Sequence, residues 1–276
     1  MQWWCSSQTG PWTWAWQPYP GVWLFLIGLA VAYARLRRGS IRDDAWRTWA
    51  FGGALFLLWL ALDWPLGPLG AAYQLSLHMV QFLLVGIGAP ALLLLSVPSD
   101  IWGRLTNHPR ILAIIVVLTQ PLIAFFLFSA SMTLTHWPGV SDVLMATQAG
   151  AFVLDMVWLV TGFVFWWPVV APVPKRPRFG GLLKVAYLGA NIVIVRPPVV
   201  MMFYSKYPLY VTYELATPVP WGGTPLDDQQ LAGAIMKAGS AWIMAIAMTI
   251  VFYRWHRKQL EAASQDHATA HDQRPA

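Results

Sequence analysis

The sequence predicts an all-α fold, a polytopic membrane helix bundle of about seven transmembrane helices. Three observations predict it. Of 276 residues, 57% are hydrophobic and only 11% are charged, where an ordinary soluble domain carries about 25% charged residues. Apolar stretches long enough to cross a bilayer recur along the chain, separated by short polar or proline-rich breaks. The 18 tryptophans gather toward the ends of these stretches, where amphipathic rings settle at headgroup level.

Segment one covers about 21–34 and is expected to extend upstream through 14–19 at the interface, with RLRRGSIRDDAWR as the following loop. Segment two is 48–62, closed by Asp63, Pro65 and Gly67. Segment three, AAYQLSLHMVQFLLVGIGAPALLLLSVP (71–98), combines a bilayer-spanning length with a histidine and two glutamines. Pro90 removes a backbone bond to the carbonyl of Gly86, so a kink is expected there. Segment four is 111–132 and segment five 145–170, which ends in the aromatic run FWWPVV. Segment six, 183–204, holds Arg196-Pro197-Pro198, a sequence that loosens the backbone. A Pro-, Gly- and Tyr-rich loop (205–228) leads to segment seven, 229–253. Residues 1–258 thus form one seven-helix transmembrane domain, and 259–276 a polar tail expected to be disordered.

Charge gives the orientation. Almost all Lys and Arg fall in the loops after segments one, three and five and in the tail, while the opposite loops hold only Lys206. The positive-inside rule places the N-terminus outside and the C-terminus in the cytoplasm, as in a multi-pass protein of the bacterial cytoplasmic (inner) membrane. The formal charge of +6 is dispersed among segment ends, so nucleic acid is not an expected partner; membrane lipids are. The N-terminus lacks a basic region, so no cleavable signal peptide is expected. The one cysteine, Cys5, excludes an internal disulfide and reads as a free thiol in a tail.

Polar groups inside apolar segments are functional candidates. Gln74, His78 and Gln81 share one face of a helix. With a rise of 1.5 Å per residue, His78, Asp155, Arg196 and Lys237 all lie on the order of 10–15 Å below the outer surface. Depth alone pairs Asp155 with Arg196 or Lys237, and that pairing would offset the cost of burying them. Asp228-Gln229 sits where a cap and dipole partner for segment seven belongs. His136, in an interfacial loop beside a tryptophan, is expected to face water. His108, His256, His267 and His271 fall on the cytoplasmic side, and the His267-x3-His271 spacing lacks further ligands.

Four motifs in order, HMVQF-x7-P-x7-P, THWPGVSD, FWWPVV and DDQQLAGAIM, resemble the polytopic CtaG-type cytochrome c oxidase assembly factors of bacteria. The resemblance runs from about Gln74 to Met236. It implies a non-enzymatic membrane helper in the maturation of haem–copper oxidases, delivering or stabilising copper on the outer side. It also implies that His78 and His136 match two of the family's histidines. Three further histidine positions of the pattern fall on Phe82, Ala151 and Asp155, and the Asp-Gln pair falls on Asp228-Gln229. The metal candidates are therefore His78 and His136, suited to Cu(I), a soft ion that accepts nitrogen and thioether ligands. Met79, about 100° around the helix from His78, is poorly placed to assist.

The departures leave no tightly bound cofactor as the expectation, with copper as the candidate, and His78 hydrogen-bonded within the bundle to Asp155 or Gln81. Two functions compete. One is assistance in cytochrome c oxidase assembly, with the oxidase subunits as partners. The other is a non-catalytic structural or docking subunit of a membrane redox or photosynthetic complex that kept the scaffold and lost copper. A transporter ranks third, because charges lie beside a Pro-broken segment but no inverted repeat is visible. No Gly-rich phosphate loop or Ser–His–Asp arrangement points to an enzyme.

Overall fold

Proline opens helices at Pro20, Pro109, Pro121, Pro138, Pro197 and Pro225. The computed structural model describes residues 2–38, 44–105, 107–170, 179–194 and 196–272. Among these the fold is all-helical. Of the loop and tail cations that give the orientation, Arg42, Lys175, Arg176, Arg178 and Arg274 lie outside the described residues.

Helix α1 (Pro20–Arg37) starts on a proline at its first position, where the missing N–H costs nothing. Residues 14–19 do not extend it. Pro18 and Pro20 restrict the residues before them to extended conformations, and Trp14 and Trp16 stand exposed outside the helix. Helix α2 (Ala45–Leu62) follows, then a short helix α3 (Leu66–Ala72). Segment three is thus divided at Tyr73-Gln74, and the long helix α4 spans Leu75–Ser96. It is α-helical over Leu75–Phe82, widens to a π-helix over Leu83–Gly88 and returns to α over Ala89–Ser96. The widened turn lies just ahead of Pro90 and takes up the backbone mismatch that the proline creates.

Helices α5 (Ser99–Leu105), α6 (Pro109–Leu118) and α7 (Pro121–Thr135) come next. Segment four, expected as one helix, is bent by 71° between α6 and α7. Gln120 before Pro121 is extended, φ −61° and ψ 131°, as a residue preceding proline prefers. Helix α8 (Pro138–Met145) leads to α9 (Gln148–Val170). Segment six breaks as its prolines predict, into α10 (Gly181–Val193) and α11 (Pro197–Tyr204). After α12 (Val211–Glu214), helix α13 runs from Pro225 to Asp272. The tail is therefore helical through Asp272 and not disordered. It is rich in Ala and Gln, good helix formers, and Arg257 pairs with Glu261 one turn on at 3.0 Å. Among the described residues six spans, the α10–α11 stretch Gly181–Tyr204 taken as one of them, are long and apolar enough to cross a membrane, or seven if the bent α6–α7 pair is one span.

The most deeply buried span is α4, which packs against α2, α9 and α13. Helix α7 leans on α9, and the broken α10–α11 pair lies along α13. The α4–α9 crossing is close because of glycine. A Cβ on Gly162 would stand 2.1 Å from the carbonyl oxygen of Gly86 and 2.7 Å from Pro90 Cγ. The π turn also frees backbone carbonyls, and Trp166 Nε1 donates to that of Ile87 at 2.8 Å.

At the opposite end of α4 from His78, basic side chains cap helices. Arg47 donates to the carbonyls of Leu95 and Val97, both at 3.0 Å. Lys184 donates to Val169 O at 2.6 Å. Cations at helix C-termini satisfy unpaired carbonyls and oppose the negative dipole end.

Candidate functional site

The polar stripe of segment three is shorter than its spacing suggests. Gln74 is the extended residue preceding α4 (φ −137°, ψ 121°), and its Oε1 accepts from Trp221 Nε1 at 3.3 Å, away from the core. His78 and Gln81 do share a buried face. Gln81 Nε2 donates to the carbonyls of Ala61 (2.8 Å) and Gly67 (3.0 Å). That fixes the amide so that Oε1 faces His78 Nδ1 at 3.1 Å. Gly70 makes room: a Cβ there would lie 2.2 Å from Gln81 Oε1.

An amide oxygen only accepts, so His78 Nδ1 carries the proton and Nε2 keeps its lone pair. Nε2 is buried with no hydrogen-bond partner, and His78 is 2% exposed.

His136 repeats the arrangement from another element, and it is not solvated. It is 1% exposed, since the residues after α7 turn inward to close over Trp158. Its Nδ1 donates to Met132 O at 2.8 Å. The nearby Thr135 hydroxyl spends its proton on Ser131 O (2.8 Å) and accepts from Trp158 Nε1 (3.0 Å). The proton of His136 therefore sits on Nδ1, and its Nε2 is again buried without a partner. The Tyr210 hydroxyl holds the backbone oxygen of His136 at 2.6 Å. Both imidazoles pack on one indole: Trp158 lies 5.2 Å from the His136 ring, nearly parallel at 14°, and 5.1 Å from that of His78. Phe82 meets His136 edge-on at 4.7 Å.

Asp155 pairs with neither Arg196 nor Lys237. Its Oδ2 accepts from Trp4 Nε1 at 2.7 Å. The N-terminal segment folds back into the bundle, with Ser7 N bonded to Met145 O at 2.9 Å. Cys5 is accordingly buried rather than loose in a tail, and its Sγ donates to Leu62 O at 3.1 Å. Burial, then the charges of Asp155 and Asp63, push the thiol well above its ordinary range. Lys237 Nζ donates to Ile192 O at 2.5 Å, a carbonyl at the end of α10. Arg196 Nη2 reaches Ser129 Oγ at 3.3 Å.

Asp228 does not cap its own helix. Its carboxylate accepts from Leu75 N at 2.6 Å, Ser76 N at 3.3 Å and the Ser76 hydroxyl, so it caps α4. The start of α13 is capped by Thr224 and Asp227, each bonding the other's backbone N–H at 3.2 Å. Gln229 Oε1 accepts from Leu209 N at 2.7 Å.

A small cavity lies beside His78, lined by Cys5, Leu62, Ala71, Gln81, Met145, Ala151 and Asp155. It has room for about one water. Trp4, Cys5, Met145 and Trp158 are the neighbours that sequence reasoning missed. The run WWC so close to the N-terminus was the available signal for the first two. Among the described residues no group of three or more His, Cys, Asp or Glu could hold a metal ion. The site offers a pair of bare imidazole nitrogens, each oriented by a hydrogen bond at its other nitrogen. That is how metal-binding histidines are ordinarily held.

A model of the cytochrome c oxidase caa3 assembly factor family (Caa3_CtaG) matches residues 6–258. Among curated proteins, the uncharacterized proteins Mb0105 of Mycobacterium bovis and MT0111 of Mycobacterium tuberculosis are each 26% identical over 275 residues, covering 87% of this chain. The uncharacterized protein ML1998 of Mycobacterium leprae is 23% identical over 279 residues, covering 88%. The chain spans only 38% of the length of these relatives. No solved structure matches it.

Proposed function

Because the chain belongs to the cytochrome c oxidase caa3 assembly factor family, we propose that it assists oxidase assembly by holding Cu(I) as cargo between His78 and His136. The observation that carries this reading is the pair of buried Nε2 atoms without partners. A buried polar atom left unsatisfied requires a reason, and a waiting ligand is one. Neutral imidazoles suit a soft monovalent copper ion. The thioether of Met145, on the wall of the cavity beside His78, adds a soft donor of the same preference.

In this reading the protein's residues act as holders. Gln81 and Met132 O keep both protons on Nδ1, so both Nε2 lone pairs stay available without a change of tautomer. Trp158 and Phe82 exclude water around them. No step requires the protein to make or break a covalent bond, and the function is non-enzymatic. The distribution of Lys and Arg supports a position on the outer side of the bacterial cytoplasmic membrane, with the oxidase subunits as partners.

A second reading, a docking scaffold for a membrane redox complex that has lost copper, draws on Phe82, Ala151 and Asp155 standing where the family pattern has histidine. Copper content decides between them. The detergent-purified protein, loaded with Cu(I) under reducing conditions, is expected to retain about one ion per chain. His78→Ala and His136→Ala should each abolish retention. Gln81→Leu should weaken it by about 10–100-fold. Absence of copper in the correctly folded parent, or binding unchanged in both histidine variants, would overturn the copper reading in favour of the scaffold.

A further inference from the structure

Two cations, Arg196 at the break between α10 and α11 and Lys237 on α13, lie within apolar spans with no anionic partner among the described residues. Arg196 is 5% exposed, and its guanidinium lies 5.8 Å from the centre of the Phe128 ring. Its Nε has no hydrogen-bond partner. Lys237 is half-buried on α13 and donates to Ile192 O at 2.5 Å, four residues before Arg196, which brings the two cations to the same break. The carboxylates that could serve them are engaged elsewhere, Asp155 by Trp4 and Asp228 by the start of α4. Among the described residues neither cation forms an ion pair.

Charges in the hydrocarbon region are costly and normally find partners. Depth restricts what the partner is. Lys237 lies about 18 Å along α13 from its start at Pro225, and Arg196 about 12 Å before the end of α11 at Tyr204. Both positions fall inside apolar spans rather than at their ends, so a side chain carried within the bilayer suits them better than a lipid phosphate at its surface. Beside them the surface is apolar and open, with Val193 at 76% and Ile194 at 47% exposure.

We propose that Arg196 and Lys237 form a receiving site for a carboxylate carried within the bilayer by an Asp or Glu on a transmembrane helix of a partner protein. Arg196 Nε is an unused donor in a fork suited to carboxylate, and Lys237 Nζ has donors beyond the one given to Ile192 O. An acidic residue in a partner helix carries the same burial cost alone, so each side relieves the other's. The charge complementarity selects the helix, and the apolar rim accepts its flanks. This inference does not depend on the copper reading.

The test uses the full chain in lipid nanodiscs and a synthetic apolar transmembrane peptide carrying one mid-span Glu, compared with the same peptide carrying Gln. Association is read by energy transfer at pH 8. The Glu peptide is expected to bind about tenfold more tightly than the Gln peptide. The preference should shrink in Lys237→Met and vanish in Arg196→Gln. If Arg196→Gln does not fold, Lys237→Met and the conservative Arg196→Lys, which should retain part of the preference, decide the matter. Equal binding of the two peptides to the parent, or a preference that survives Lys237→Met undiminished, overturns the proposal. So does Arg196-dependent binding of oleate with no preference for the Glu peptide, which would assign the site to a lipid carboxylate.

Discussion

The indole of Trp4 donates to the carboxylate of Asp155 at 2.7 Å across 151 positions of sequence, and both residues are buried. This contact ties the N-terminal segment to α9 and supplies the partner that Asp155 would otherwise seek from a cation. Trp4 also meets the Phe152 ring edge-on at 5.0 Å.

Trp4→Phe keeps most of that packing and removes the donor. A buried carboxylate losing its hydrogen bond should lower stability by about 1–3 kcal/mol, read as a drop in melting temperature in detergent. Asp155→Asn retains an acceptor for the indole and should cost less. A double-mutant cycle should show coupling between Trp4 and Asp155 and none between Lys237 and Asp155. Coupling to Lys237 would restore the ion pair that depth alone suggested.

The Gly162 crossing makes a sharper demand. Gly162→Ala drives a Cβ into the backbone of Gly86, and the separation of α4 and α9 that follows should cost about 1–3 kcal/mol or more. Gly28→Ala is the control, because nothing lies within 4 Å of a Cβ there, and replacing a mid-helix glycine is neutral to favourable. Size-exclusion profiles and melting of the two variants compare them directly. Similar behaviour would mean that the helices do not meet at this point.

Cys5 should be nearly inert in the folded protein. Only the thiolate reacts, and burial, reinforced by Asp155 and Asp63, pushes the thiol up. Alkylation by N-ethylmaleimide at pH 8 is expected to be at least roughly tenfold slower than for an exposed peptide thiol. It should become complete on unfolding in SDS. Rapid labelling of the native protein would show that the N-terminal segment does not stay docked.

Asp63, between α2 and α3, gives a pH dependence. Burial raises its carboxyl above the ordinary range, outweighing the opposing bonds from Trp64 N–H and the Trp59 indole. Its Oδ1 is buried without a partner. A folded-state pKa above the unfolded one means that the folded protein holds the proton more tightly. The contribution to stability is complete below the unfolded value, about 3.9, and is lost as pH rises through the raised value. Asp63→Asn should flatten that part of the profile and be at least as stable at pH 7. Melting temperatures from pH 4 to 8 check both; a parent profile that already coincides with that of Asp63→Asn removes the effect.

The sequence by itself determined the membrane bundle, the apolar spans and the break at 197–198, because these follow from local properties, whereas the divisions at 73–74 and 119–120 were not read from it. Apolar length, tryptophan at segment ends, and proline at 197–198 act within a few residues of where they stand. His78 beside Gln81 was legible for the same reason, being one helical turn apart. Only the tertiary structure decided the partners. Asp155 meets Trp4, Asp228 caps α4 across 153 positions, Lys237 closes the end of α10, and His136 turns in to stack on Trp158. Depth along a helix axis says how far down a side chain lies but not which neighbour it faces. That is fixed by the rotation and packing of several helices at once, to which glycines such as Gly70 and Gly162 contribute by what they lack.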